Sequence, residues 1–239
     1  ASLPFSAFRV LPLRGYGAVR APDSSRPACH LRTTQYSEPE MSTVESVHRR
    51  GRPITRNRVH ILETAMNAYW HDDTAAISVN AICVLARVSK PSLYREFGSE
   101  DGLTAAVLKH YAEEILGTLE ELLVSPISFA AKLEGVLVSV GEDPRLESGC
   151  LFVKMRSRRS RFGPQTQTCI AAIETHTLGC FTEFFAQAAA TGEWDGGVAP
   201  ELAARYLHEQ LGLASSQRAS GMSTESVREL LALAMSVLR

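Results

Sequence analysis

Residues 78–97 read SVNAICVLARVSKPSLYREF, which specifies two short helices with a tight corner between them. Val79, Ile82 and Ala86 recur at helical spacing and share one inward face of the first helix. Arg87 and Val88 fill the corner. Ser89 is placed to cap the second helix, its hydroxyl accepting from an N–H of the first turn. Pro91 fits inside that turn, where the N–H it lacks would have no helical partner. Leu93 and Phe97, four apart, bury one face, leaving Lys90, Ser92 and Arg95 for the other. A short basic helix carried on a hydrophobic partner is suited to a DNA major groove. An ordinary helical hairpin with a polar face is the alternative; corner, cap, Tyr94 and basic residues together favour DNA.

Working outward, the string VSKPSLYREFGSEDGL (Val88 to Leu103) resembles the recognition helix and following helix of the TetR family of transcriptional regulators. The resemblance is specific from about Gly51 to Leu108 and only architectural beyond. It implies an all-α homodimer: an N-terminal three-helix bundle with a helix-turn-helix, and a C-terminal helical domain for effector binding and dimerisation. On this reading residues 48–98 form the DNA-binding domain with its basic arm, and 99–239 the effector-binding and dimerisation domain. The resemblance further implies Lys90 and Tyr94 as phosphate contacts, with Ser78 and Thr55 as neutral donors to backbone oxygens. Ser89 belongs to the same contact set at the head of the recognition helix, and Pro91, Ser92 and Arg95 are implied at base edges. Two positions depart from the family pattern. Arg87 stands where glycine is usual, which predicts a strained corner, and Glu100 stands where lysine is frequent, which removes one phosphate contact.

The formal charge of the 239 residues is only −1, so net charge gives no polyanion signal. Its distribution does. His48, Arg49, Arg50, Arg52, Arg56 and Arg58 cluster with no acid among them, an electrostatic footprint for DNA just ahead of the helix-turn-helix. A solvated tail is the plainer account of that run. Residues 1–47 look unlike the rest: Pro4, Pro12, Pro22, Pro27 and Pro39 interrupt every possible element, so disorder is expected. Their arginines fit a transit peptide. A simpler expectation is that translation begins at Met41, with the first forty residues outside the native protein. No apolar run is long enough for a membrane span. The five cysteines are scattered, without a Cys-x-x-Cys pair, so no disulfide framework or zinc knuckle is expected and a reducing cytoplasm is the simplest compartment.

Thr55 is a candidate N-cap for a first helix running to about His71, with Val59, Leu62, Met66 and Tyr69 as its buried stripe. Trp70 closes the small core. Gly98 ends the recognition helix, Ser99 caps the next, and Leu103, Val107, Tyr111, Ile115, Leu119 and Leu123 continue it as one long helix. Pro126 is expected to start a helix, Cys150 to Met155 a short apolar one, and Arg156, Arg158, Arg159 and Arg161 a solvated basic exit. A long helix over 165–190, one from Pro200 to about Ala219, and a last one capped by Ser223 complete the chain. The final pair, rich in Ala and Leu, suits a four-helix homodimer interface.

The resemblance places an effector site inside the C-terminal domain, and Cys150, Phe152, Met155, His176, Phe181, Tyr206 and Gln210 are its candidates. Few polar groups among them point to a small hydrophobic or aromatic compound. The expected partners are double-stranded operator DNA, that effector and a second copy of the chain, with no membrane, cofactor, metal or catalytic residue assigned. Repression relieved by ligand is the default. A rival regulator would sense oxidants or electrophiles at Cys150, whose thiol opens a helix near Arg156. An enzyme finds little support: His208-Glu209 lacks the second histidine of a zinc protease, and Gly15-Tyr16-Gly17 has no preceding strand. A helical interaction module would require the arginine arm and Lys90 to be incidental.

Overall fold

The computed structural model describes residues 54–71 and 77–238, without the side chains of residues 54–57, 142 and 145. The described residues are helical, with no strand. α1 (Ile54–His71), α2 (Val79–Ala86) and α3 (Lys90–Phe97) form the head. α4 (Glu100–Tyr111) leads through a π turn at Ala112–Leu116 into α5 (Gly117–Val124). α6 (Phe129–Glu142), α7 (Leu151–Ser157), α8 (Pro164–Thr191), α9 (Pro200–Ala219) and α10 (Thr224–Met235) complete the body.

Local chemistry accounts for most boundaries. Ser78, Ser89, Ser99, Ser128 and Ser223 each accept a backbone N–H at the start of α2, α3, α4, α6 and α10. Pro164 and Pro200 sit in the first turns of α8 and α9. Gly192 ends α8 with φ 75° and ψ 12°, a left-handed conformation natural to glycine.

Four expectations need correction. α1 already includes Ile54, so Thr55 lies within its first turn and does not cap it. α6 starts at Phe129 under a Ser128 cap, not at Pro126, because a serine hydroxyl supplies the acceptor that proline cannot. Val59 is 41% exposed: it lies at the edge of the arc formed by Ile61, Leu62, Ala65, Met66 and Tyr69, toward the start of α1. The predicted long helix is also not regular, since the π turn divides α4 from α5. Such turns insert a residue into the helical ladder and rotate the helix beyond them.

One hydrophobic cluster runs from the head into the body. It joins Ile61, Ile82, Leu93 and Phe97 to Leu103, Val107 and Tyr111 of α4, then to Leu151, Phe152, Met155 and Ile170. A second aromatic group sits farther along α8. Phe129 stacks on Phe184 at 4.8 Å between centroids, and Phe185 meets Trp194 at 4.9 Å. The Trp194 indole N–H donates to the Leu238 carbonyl at 3.0 Å, so the C-terminal turn is tied to this group.

Candidate nucleic-acid interface

The head presents α3 through a corner of defined geometry. Arg87 has φ 54° and ψ 45°, and it is the one non-glycine with positive φ among the described residues. Its N–H donates to the Val84 carbonyl at 3.2 Å and the Val88 N–H to the Cys83 carbonyl at 3.0 Å. This is the Schellman pattern, which closes a helix with a left-handed residue and turns the chain sharply. An L-residue with a Cβ pays sterically for that backbone, so the strain expected from the missing glycine is present.

Leu93 and Phe97 are buried and fix α3 on the head, while Lys90, Pro91 and Arg95 are exposed and Ser92 and Tyr94 half-buried. Ser89 Oγ accepts from the Ser92 N–H at 3.3 Å and donates to Ser92 Oγ at 3.0 Å. Arg95 Nη2 also reaches Ser92 Oγ, at 3.5 Å. Ser92 Oγ therefore accepts from both sides. Lys90 Nζ lies 5.7 Å from the Tyr94 ring centroid, so cation and phenol form one patch. The acid of this helix is turned away: Glu96 Oε1 accepts from Arg58 Nη1 at 2.6 Å, and the same guanidinium covers the Phe97 ring at 4.9 Å. Neutralising Glu96 leaves the outward face of α3 cationic. Ser78 is exposed, its Oγ accepting from the Ala81 N–H at 3.2 Å. Arg49, Arg50, Arg52 and the side chain of Thr55 lie outside the described residues.

The head is tied to the body at the end of α1, and α4, which follows it, is fastened to α8. At the end of α1, the Trp70 indole N–H donates to the Gly149 carbonyl at 2.6 Å, and the ring meets Tyr111 edge-on at 5.0 Å. Lys154 Nζ donates to the Trp70 carbonyl at 2.6 Å, a cation at the negative end of a helix. Just after α3, Asp101 does more than charge its own helix. Its carboxylate accepts from the Gln165 N–H at 2.8 Å, the Thr166 N–H at 3.2 Å and Thr166 Oγ1 at 2.6 Å. It thereby caps α8, whose own cap position is Gly163 and has no side chain to offer. The sequence carried a signal for this: a helix opening Gly-Pro has no side-chain acceptor of its own at the cap and takes one from elsewhere.

The body candidates separate into distinct groups. Phe152, Met155 and Phe181 are buried, and Phe152 and Phe181 flank His208 at 6.4 and 6.5 Å. Sequence reasoning weighed His208 only as half of a zinc-protease motif, not as part of the effector site, and read Arg156 as part of a solvated exit. Arg156 instead bonds Glu209 through both terminal nitrogens at 3.0 Å, with Glu174 at 3.2 Å and His208 Nδ1 at 3.1 Å. A guanidinium half-buried beside carboxylates is a paired charge, and no run of arginines in sequence reveals its partners from α8 and α9. Burial, and then the Arg156 charge, lower the His208 pKa, so its ring is held neutral.

Cys150 accepts from Tyr111 Oη at 3.1 Å, and its backbone N–H donates to Ser215 Oγ at 2.6 Å. Burial raises the Cys150 thiol pKa against smaller opposing contributions from Tyr111, local N–H groups and Arg156. Such a thiol is protonated and poorly nucleophilic. Burial likewise pushes the Cys169 thiol up to about 11. His176 Nε2 lies 2.8 Å from Glu120 Oε1 and 3.7 Å from Cys180 Sγ, apart from the Phe152 group. Tyr206 donates to the Ala234 carbonyl at 2.9 Å, and Gln210 lines a groove of about 240 Å³ between α9 and α10.

The family model for bacterial regulatory proteins, tetR family, matches residues 61–107, which span the head and most of α4. No curated protein sequence matches significantly. Among solved structures, the chain is similar to Escherichia coli NemR in its reduced form, with TM-score 0.69, 20% identity, and coverage of 77% of this chain and 97% of that one. It is similar to a TetR-family regulator from Rhodococcus sp., with TM-score 0.68, 22% identity, and coverage of 77% and 98%. It is also similar to a cysteine mutant of the TetR-family regulator CifR complexed with 26-bp operator DNA, with TM-score 0.63, 21% identity, and coverage of 79% and 100%. No described helix is long and apolar enough to cross a membrane. Residues 61–107 thus carry the sequence pattern of the tetR-family helix-turn-helix region, and the chain shares the all-helical fold of these solved structures.

Proposed function

We propose that this protein is a DNA-binding transcriptional regulator of the TetR family, a repressor that binds operator DNA in the cytoplasm as a homodimer and releases it when a small hydrophobic or aromatic effector enters the body. The observation that carries the DNA-reading surface is the outward face of α3, where Lys90 and Arg95 are exposed, Ser92 is half-buried between them, and Glu96 is neutralised by Arg58. Lys90 and Tyr94 meet phosphate, Ser78 and Thr55 donate to backbone oxygens, and Pro91, Ser92 and Arg95 meet base edges, with Ser89 holding the helix start. Arg49, Arg50 and Arg52 add sequence-independent attraction from the arm. Residues 48–98 act as the DNA-binding domain and 99–239 as the responsive body.

A second copy docks on α9, α10 and the turn that follows, where Leu202, Leu213, Leu230, Leu233 and Val237 are exposed at 58%, 52%, 43%, 70% and 64%. A run of exposed leucines of this kind is a surface for a partner. Phe152, Met155 and Phe181 around neutral His208 offer an apolar setting with one polar group, suited to an uncharged aromatic ligand. Tyr206 and Gln210 serve the α9–α10 side. Displacing those side chains moves α7 and α8 against α4, and the head spacing follows by population shift. The raised thiol pKa of Cys150 gives no support to a redox-sensing version. The test is a fluorescence-anisotropy titration of the full chain with DNA from upstream of its own gene, against an unrelated duplex, at two salt concentrations. Preference for the upstream DNA supports the reading; equal, salt-labile binding to both refutes sequence-specific regulation. Effector compounds are then screened for release of that complex.

A further inference from the structure

The π turn at Ala112–Leu116 rotates α5 so that Glu120 faces α8, where His176 and Cys180 sit one helical turn apart. One carboxylate oxygen, one imidazole nitrogen and one sulfur lie within 4.8 Å of one another. Both contacts fall on the same ring atom: Nε2 is 2.8 Å from Glu120 Oε1 and 3.7 Å from Cys180 Sγ. That geometry excludes a nucleophile relay, which needs the base to take the thiol proton on one ring nitrogen while a carboxylate holds the other. It describes three donors converging on one point.

We propose that Glu120, His176 and Cys180 form a binding site for a Zn²⁺-class transition-metal ion, with the fourth position left to water or a small ligand. The donor set decides the ion class. Thiolate and imidazole are poor ligands for Mg²⁺ or Ca²⁺ and good ones for Zn²⁺, Co²⁺, Ni²⁺ and Cu²⁺. Zinc bound at about 2.0–2.3 Å to N, O and S in a tetrahedron holds its donors roughly 3.3–3.6 Å apart. The two separations at Nε2, 2.8 Å and 3.7 Å, lie either side of that range, and the Glu120 oxygen and Cys180 sulfur lie within 4.8 Å of each other, so rotation of the Glu120 and Cys180 side chains is needed to close the cage. Access is consistent as well: the Glu120 and His176 side chains keep 24% and 20% of their exposure, and Cys180 is 8% exposed at the rear. Binding replaces the hydrogen bonds at Nε2 and releases the thiol proton.

The site has a mechanical consequence, which rests on the regulator reading. Asp101 fastens the start of α4 to α8, and this cluster lies where α5, beyond the π turn, meets the same helix. An ion there clamps both ends of the α4–α5 unit to α8.

The experiment titrates the metal-stripped, reduced full chain with Co²⁺ alone and follows visible and near-ultraviolet absorption. One Co²⁺ per chain is expected, with tetrahedral ligand-field bands and a thiolate charge-transfer band that Zn²⁺ abolishes by displacement. Cys180→Ser removes the charge-transfer band. Glu120→Gln and His176→Ala weaken binding by at least about tenfold, the scale on which even outer-shell partners act. Cys29→Ser, Cys83→Ser, Cys150→Ser and Cys169→Ser leave the band intact. Circular dichroism of each variant confirms folding, and Cys180→Ser and Glu120→Gln are close in size to the residues they replace. No charge-transfer band in the parent protein, or one that survives in folded Cys180→Ser, overturns the site. Neither result bears on operator binding, so failure here is distinct from failure of the regulator reading.

Discussion

Replacing Arg87 with glycine separates the backbone of the corner from the charge it carries. Arg87 holds φ 54° and ψ 45°, a conformation that costs an L-residue about 1–2 kcal/mol. Glycine removes that cost but brings a more flexible unfolded chain, worth about 0.5–1 kcal/mol against it. The difference leaves Arg87→Gly more stable by roughly 0.5–1 kcal/mol, or about 1–4 °C in melting temperature for a chain of this size. Arg87→Ala keeps the left-handed cost and loses only the exposed side chain, so its stability stays near that of the parent. If the exposed guanidinium meets phosphate, both variants lose the same contact, and each flattens log K against log salt by about 0.9 per contact removed. Thermal melts followed by circular dichroism, with anisotropy at several salt concentrations, read the two effects separately. A glycine variant no more stable than the alanine variant refutes the strain. Equal salt slopes in all three proteins refute the phosphate contact.

Other perturbations reach other parts of the account. Arg95→Ala is expected to weaken the upstream site by about 1–3 kcal/mol while barely changing binding to random DNA; equal losses on both, in competition titrations, make Arg95 a phosphate contact. Asp101→Ala removes the charge-assisted cap of α8, lowering stability by about 1.5–3 kcal/mol in urea unfolding, and a change under about 0.5 kcal/mol means the cap is replaceable. Leu233→Asp buries a charge in the proposed homodimer face, so sedimentation should report monomers and operator affinity should fall; an unchanged dimer moves the interface elsewhere. His208 has a folded pKa below its ordinary 6.5, so the unfolded chain binds more protons and stability declines as pH falls below about 6.5. In His208→Gln that decline flattens between neutral pH and the folded-state pKa, and an unaltered pH profile rejects the buried neutral ring.

The head is readable because its signals are local. Ser78, Ser89 and Ser99 each cap the helix after them, and Ile82, Leu93 and Phe97 fall at positions that bury whatever the body does. The missing glycine at Arg87 is visible for the same reason: a corner of fixed geometry demands one backbone conformation. The body is legible as helices but not as a site. Arg156 finds its acids on α8 and α9, 18 and 53 residues away, and a string of arginines says nothing about such partners. His176 reads as a satisfied histidine, but its partner Glu120 comes from another helix 56 residues earlier. Val59 and Pro126 mislead because a hydrophobic period and a proline mark a helix without fixing where its burial or its cap begins.

Hydroxyl-radical footprinting of the full chain on the DNA upstream of its own gene tests the proposed mode of action most directly. Two recognition helices held by a homodimer should protect two segments related by a dyad, centred about 10–10.5 bp or a whole multiple of that apart. Protection should be lost from both together in Lys90→Ala/Arg95→Ala. A single protected segment, or protection that survives that double substitution, contradicts reading by paired α3 helices.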